Sequence, residues 1–223
     1  LNTPFKRFFA TPPATWLGTN VATLGARLMS GGANVDLEER LPTTLSMIDS
    51  AVAMGHNCFV SVLIGANLLP SISELQWYWG QLRAHGAKVI ACTITPNNSS
   101  TYWPNFSTDR AALNTAIRAA SSYYDGLADF AADGSIGADG GTSGNPPNAT
   151  YYSDYVHLND AGYAIMHSIL SPVLTGLATG VALAGAATGK ATATGDLAFG
   201  SPGGVLTPVS RYTAKARARR SYS

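Results

Sequence analysis

The chain has 223 residues, of which 46% are hydrophobic and only 12% charged, and its formal net charge is +1. That length fits one domain plus an appendage, with enough apolar residues for a buried core. The near-neutral balance excludes a global field that would recruit nucleic acid. The low charge leaves solvation to hydroxyls and amides, a composition that suits an extracellular or virion protein.

No basic start precedes an apolar stretch, so no signal peptide is expected, and a chain starting at Leu1 is expected to be processed or truncated there. The first clear periodicity runs from Asp36 to Ala53. Leu37, Leu41, Leu45, Ile48 and Val52 share one helical face, with Glu38, Glu39 and Arg40 opposite. Cys58–Ile64 is a continuous apolar run that ends at Gly65, as expected of a buried parallel strand. Ile72–His85 is helical, with Leu75, Trp79 and Leu82 inward, and Gly86 ends it. Val89–Ile94 is a second buried strand, stopped by Pro96. Asp109–Tyr124 is a helix with Asp109 in its first turn, and Leu127–Phe130 is a short strand. The Gly-, Pro- and Asn-rich stretch 133–153 is a loop. Asn159–Leu174 is the last helix, capped by Asn159 or Asp160.

Strands alternating with helices predict an α/β fold, a doubly wound parallel sheet whose site lies at the carboxyl ends of the strands. Residues 58–64 and 88–94 are expected to be adjacent parallel strands. The run from Ile169 to Ala187 is interrupted by Pro172, Gly176, Gly180 and Gly185, so it predicts a helix followed by something else, not a membrane span. Residues 1–178 therefore form the domain. Residues 179–223 form an Ala/Thr/Gly-rich, extended C-terminal arm, too poor in apolar bulk for a core of its own. It ends in Lys215, Arg217, Arg219 and Arg220, which read as a solvated tail.

Cys58 and Cys92 sit in strand-like runs at different heights, so they are expected to be unpaired thiols. No metal-ligand spacing occurs, and no cofactor motif survives inspection: Gly189-Lys190-Ala191 lacks the strand and the hydroxyl residue of a phosphate loop. Asn97, Asn98, Asn105 and Asn148 head glycosylation sequons that matter only for a chain secreted by a eukaryote. His56 and His85, at helix–strand turns, are expected to be solvated. Trp77, Tyr78 and Trp79 are expected in the core. Tyr102, Trp103 and Phe106 follow a strand end, where they line either an acyl or sugar pocket or a packed loop.

The strongest chemical signal is Asp154-Tyr-Val-His157, followed directly by Leu158-Asn-Asp-Ala-Gly-Tyr163. An acid and a histidine at this spacing on one loop let the carboxylate hold one ring nitrogen and leave the other as general base. The bland alternative is a helix-capping Asp and a surface His.

This stretch resembles the last block of the SGNH/GDSL hydrolases, serine esterases in which Asp-x-x-His runs into an Asn-x-x-Gly helix start. Gly65-Ala66-Asn67 at a strand end looks like the family's Gly-x-Asn-Asp block, with Leu68 in place of the second acid. Ser30-Gly31-Gly32-Ala33 looks like its glycine block. The resemblance covers about three-quarters of the chain, from Gly31 to Met166, and excludes the tail. It implies a flavodoxin-like three-layer fold with His157 as base, Asp154 as its orienting acid, and the Asn67 amide with the Gly32 N–H (or that of Gly31) as oxyanion donors.

The Gly-Asp-Ser-Leu block that would carry the nucleophile is absent. Leu1 is either the last residue of that block, with the serine upstream, or Gly25-Ala26-Arg27-Leu28 is a decayed copy with Arg27 in place of serine. The first case implies hydrolysis of an ester, an acetyl ester on a glycan being one candidate. The second implies an inactive structural or glycan-binding module of a virion or other assembly, docking on virion or homo-oligomer partners through the arm. Neither reading calls for a metal, a cofactor, nucleic acid or a membrane span.

Overall fold

A computed structural model of the chain describes residues 27–29, 36–101 and 105–180. The chain divides into two compact units, residues 1–190 and 191–223. All described residues belong to the first unit, and the expected arm from residue 181 onward lies outside them.

In chain order the elements are α1 (Leu37–Ala53), β1 (Cys58–Val62), α2 (Ile72–Ala84), β2 (Ala87–Cys92), α3 (Asn105–Ala119), β3 (Gly126–Ala128) and α4 (Asp160–Thr179). The strands form one parallel sheet in the order β1-β2-β3. Cys58 faces Ala87 and Val62 faces Ala91, while Ile90 faces Gly126. The two apolar runs are thus adjacent and parallel, as their composition predicts.

Successive residues of a strand point to opposite faces, and β2 divides the core accordingly. Val89 and Ala91 pack with Leu41 and Ile48 of α1, Leu75, Trp79 and Leu82 of α2, and Leu113 and Ile117 of α3. Ile90 and Cys92 pack on the other face with Ala128, Phe130, Tyr152, Leu158 and, from α4, Met166 and Leu170. Among the described residues the fold is therefore mixed α/β, a three-stranded parallel sheet with helices on both faces. Val89 and Ile90 of the central strand are both fully buried, and each such side chain contributes about 1.5–3 kcal/mol.

Local chemistry sets most element ends. Ser71 opens α2 with a capping box: its Oγ accepts the Glu74 N–H at 3.3 Å and the Glu74 carboxylate accepts the Ser71 N–H at 2.6 Å. Asn159 caps α4, accepting the N–H groups of Ala161 and Gly162 at 3.0 and 3.1 Å. Asp36 precedes α1 but makes no side-chain cap to it. Instead its carboxylate accepts the Arg27 N–H at 2.8 Å, while the Arg27 and Leu28 carbonyls accept the N–H groups of Leu37 and Glu38.

Several expectations need correction. α3 starts at Asn105 and ends at Ala119, not 109–124, and Ser121–Tyr123 is a separate 3-10 turn. The shift follows from Phe106, which is buried and extends the Leu113–Ile117 stripe two turns back. β3 stops at Ala128, and Phe130 begins a second 3-10 turn. α4 continues through Pro172 to Thr179, where Gly180 ends it in the left-handed conformation. The lost N–H at Pro172 is outweighed by burial of Leu170 and Gly176 along the same helix. Trp77 is exposed, unlike Tyr78 and Trp79. His85 is not simply solvated: its Nδ1 lies 2.7 Å from Asp49 Oδ1.

Cys58 and Cys92 are free thiols. They sit at opposite ends of the β1–β2 ladder, about 16 Å apart at the usual rise per strand residue. Burial pushes the Cys92 thiol up to about 12, which makes it an inert packing group. By length and composition α4 could cross a membrane. Its Met166–Leu170 side docks on the sheet.

Candidate active site

The Asp154–His157 loop is built as a small closed structure. Tyr152 and Leu158 form an antiparallel bridge across its neck, and both are buried. The Tyr152 hydroxyl donates to the Ile136 carbonyl at 2.5 Å. The Ser153 N–H and hydroxyl both donate to the His157 carbonyl, at 2.8 and 3.0 Å. Within this frame the Asp154 carboxylate uses both oxygens. Oδ1 accepts the backbone N–H groups of Val156 and His157 at 2.8 and 2.7 Å. Oδ2 lies 2.8 Å from His157 Nδ1.

The residues after the histidine explain the loop's shape. Asn159 starts α4 and also donates from Nδ2 to the Thr150 carbonyl at 2.9 Å. Gly162 lies against the Tyr151 carbonyl and the Leu158 side chain, and a Cβ there would collide with both. The Asn-Asp-Ala-Gly sequence is thus what lets the first turn of α4 seat directly under the loop. Gly162→Ala should cost about 1–3 kcal/mol through this overpacking, and it should weaken the Asp154–His157 contact. Thermal unfolding and the NMR shifts of the His157 ring would check both; an unchanged Tm would contradict the close approach.

Partial burial by itself would raise the Asp154 pKa. The N–H groups of His157 and Val156 and the His157 ring outweigh it and hold the carboxyl below its ordinary value. Asp154 should therefore titrate below the model-peptide range, and His157→Ala should move it back up. A folded pKa below the unfolded one contributes stability above the unfolded pKa, and this is lost as pH falls through the folded one. A carboxyl NMR titration gives both values.

The loop meets the carboxyl edge of the sheet through Asn98. The Asn98 N–H donates to the Tyr155 carbonyl at 2.9 Å, and the Asn98 amide donates to the Gly140 and Asn145 carbonyls at 2.7 and 3.1 Å. Beside it, Asn97 Nδ2 donates to the Ala66 carbonyl at 2.6 Å. Gly65, with φ of +124° and Ile94 where a Cβ would stand, turns the chain out of β1. Asn67, the next residue but one, is exposed at that edge. The 95–98 segment therefore touches both the 65–67 strand end, through Asn97, and the 154–157 loop, through Asn98.

These contacts rest on polar groups that the sequence reading passed over. Residues 93–98 are buried throughout, although only β2 up to Cys92 is paired as strand. Side chains hold the extension. The Asn114 amide accepts the Ile94 N–H at 2.8 Å and donates to the Ile94 carbonyl at 2.9 Å. The buried Arg110 donates to the Ile94 and Gly137 carbonyls at 2.9 and 3.2 Å and pairs with Asp139 at 2.8 Å. Thr93 donates to Asp129, which Arg118 grips with two 2.8 Å bonds. Arg118 and Thr93 hold the Asp129 carboxyl below its ordinary value despite the partial burial that opposes this. Asn97 and Asn98 are thus structural groups, 3% and 1% exposed, and neither is an accessible sequon. A signal was available: a run of Thr, Pro and Asn directly after an apolar strand must find partners if it is buried.

Gly31, Gly32, Leu1, Tyr102 and Trp103 lie outside the described residues. Arg27 is engaged through its backbone at the start of α1. Among the described residues the His157 ring bonds Asp154 and leaves Nε2 without a partner. The two side chains are 59% and 42% exposed. Among the described residues one surface groove is lined by Met29, Ser73, Glu74 and Trp77, and another by Leu68–Ser71, Thr101, Asn105, Phe106, Asp109 and Leu113. Neither is lined by His157 or Asn67.

A histidine–carboxylate contact alone does not mark a site, since His85 and Asp49 make one of 2.7 Å, slightly shorter than that of His157. That pair sits just before β2, at the amino edge of the sheet. Only the Asp154 carboxylate is also fixed by backbone N–H groups, and only His157 stands at the carboxyl edge, where α/β sheets place their chemistry. Comparison of the sequence with models of known protein families gives no match, and neither does comparison with curated proteins.

Proposed function

We propose that this chain carries the base half of a serine esterase on a doubly wound, SGNH-type three-layer sheet. One observation carries the reading: at the carboxyl edge of the sheet, Asp154 holds His157 Nδ1 at 2.8 Å while its other oxygen is fixed by two backbone N–H groups. A carboxylate so fixed selects the imidazole tautomer with its proton on Nδ1, and Nε2 is then the base. In the reaction, a serine encoded ahead of Leu1 attacks the ester carbonyl and passes its proton to Nε2. The Asn67 amide and the Gly32 N–H receive the charge that develops on oxygen, and His157 returns the proton to the leaving alcohol; water, giving its proton to Nε2, then cleaves the acyl-serine to the free acid, and the proton returns to the serine oxygen. The substrate is an ester, with acetylated glycans one candidate class.

The exposure of the pair favours a second reading, an inactive SGNH-fold structural or glycan-binding module of a virion or other assembly, outside the cell or on the particle. One experiment separates the two. The complete reading frame, including what is encoded ahead of Leu1, is expressed and treated with a fluorophosphonate. Labelling of a serine ahead of Leu1, lost in His157→Ala, supports the hydrolase. An unlabelled protein that hydrolyses no activated ester leaves the module.

A further inference from the structure

We infer that the groove between Met29 and the first turns of α2 binds a neutral sugar, with Trp77 as its stacking platform and Glu74 as the acceptor for its hydroxyls. The inference goes beyond both readings above. The groove shares no described residue with the Asp154–His157 loop, and its ligand does not depend on whether an ester is cleaved. It encloses about 260 Å³, just under the roughly 300–1,000 Å³ of drug-sized sites, which is room for a sugar unit rather than a long chain. Ser73 and Glu74 stand four and three residues before Trp77 on α2, so the three side chains share one helix face. That face is not the inward one, which carries Leu75, Tyr78, Trp79 and Leu82.

Three observations give the ligand class. The first is Trp77. Its side chain is 41% exposed, whereas Trp79, two residues on, is 1% exposed. An indole left open in a groove regains burial when an apolar surface lies against it, and the C–H face of a pyranose is such a surface. The second is Glu74, whose carboxylate the capping box fixes. Oε2 accepts the Ser71 N–H at 2.6 Å and the Ser71 hydroxyl at 2.9 Å. Oε1 takes no hydrogen bond among the described residues, so a pre-oriented, charged acceptor remains for a ligand hydroxyl. The Ser73 hydroxyl beside it both donates and accepts. The third is charge. No Lys or Arg is among the described lining residues, so a phosphate or a uronic acid meets the Glu74 carboxylate with no cation to offset it. An alkylammonium is disfavoured in turn. Trp77 is the one aromatic ring among the described lining residues, and the Glu74 charge is already met by the α2 N-terminus and the Ser71 donors. A platform, a fixed acceptor and a hydroxyl are what a neutral polyol needs.

The test uses the full chain with isotope-labelled tryptophan and follows the indole N–H signals by NMR; Trp77→Phe identifies the signal of Trp77. The probe is cellotriose, whose equatorial hydroxyls leave the ring faces apolar. At millimolar concentration it should shift the Trp77 indole and leave that of the buried Trp79 in place. Trigalacturonate, an acidic trisaccharide, and tetramethylammonium should not. Trp77→Ala should weaken cellotriose binding, read by saturation transfer to the sugar, by at least about tenfold, as truncation of an aromatic anchor does. Trp77→Phe should retain part of it. The side chain is on the surface, so both variants should fold, which circular dichroism checks. Glu74→Gln keeps the capping box and should weaken binding severalfold, because a neutral acceptor makes the weaker bond. An unmoved Trp77 signal in cellotriose overturns the inference. So does equal cellotriose binding by Trp77→Ala, or tighter binding of either charged probe than of cellotriose. None of these outcomes bears on the esterase reading, which fluorophosphonate labelling decides.

Discussion

His157→Ala in the complete protein is expected to lower kcat/KM on an activated ester by about 10³–10⁴-fold, with Tm nearly unchanged. The ring is 59% exposed and its bond to Asp154 is its one side-chain hydrogen bond among the described residues, so little packing is lost and stability should move by less than about 0.5 kcal/mol. The activity loss comes from the proton transfer that no neighbouring group can assume. Asp154→Asn should be nearly as severe. An amide can keep its oxygen on the Val156 and His157 N–H groups, but it then presents NH₂ to Nδ1. The ring must turn its lone pair to that donor, and Nε2 becomes protonated, the wrong tautomer for a base; the loss is about 10⁴-fold where this has been done in a triad. Asp154→Ala should additionally loosen the loop, because the two backbone N–H groups lose their acceptor. Steady-state kinetics beside thermal unfolding separate these effects. Equal activity of wild type and His157→Ala would show that any observed hydrolysis arises elsewhere.

Asn114→Leu should have the largest effect on stability among the polar contacts near the site, about 3 kcal/mol. Asn114 is 2% exposed and bonds both backbone groups of Ile94, itself 1% exposed. The leucine fills similar space, so no cavity forms, but the Ile94 N–H is left without a partner. Two lost hydrogen bonds of about 1 kcal/mol each, with the desolvation of an orphaned donor, give this magnitude. The Ile94 carbonyl keeps Arg110 at 2.9 Å, which holds the estimate below the sum of both orphans. Because Ile94 leads into Asn97 and Asn98, the substitution should also loosen the Tyr155 carbonyl and raise hydrogen exchange across 95–98 and 154–157. Urea unfolding with exchange mass spectrometry measures both. A shift below about 1 kcal/mol would mean that β2 holds its extension without the side-chain clamp.

The sequence alone determined the parallel arrangement of the two apolar runs, the unpaired state of Cys58 and Cys92 and the inward face of α2. It also determined the Asp154–His157 contact and narrowed the cap of α4 to Asn159 or Asp160, of which the structure takes Asn159. Each of these follows from short-range rules: strand alternation, helical spacing, cap chemistry, and an acid and a base three residues apart on one loop. The ends of α3 and α4 were decided by tertiary packing. Phe106 extends one helix because the core receives it, and Pro172 is tolerated because the sheet-facing side of α4 is buried. Tertiary structure also decided that Asn97, Asn98, Arg110 and Asn114 hold the site's frame. Their partners are backbone groups 16 to 47 residues away in sequence, and a polar residue's type states that it needs a partner but not where that partner lies. The same reason makes the His85–Asp49 contact, 36 residues apart, invisible to a reading by spacing, while the Asp154–His157 contact was legible from four consecutive letters.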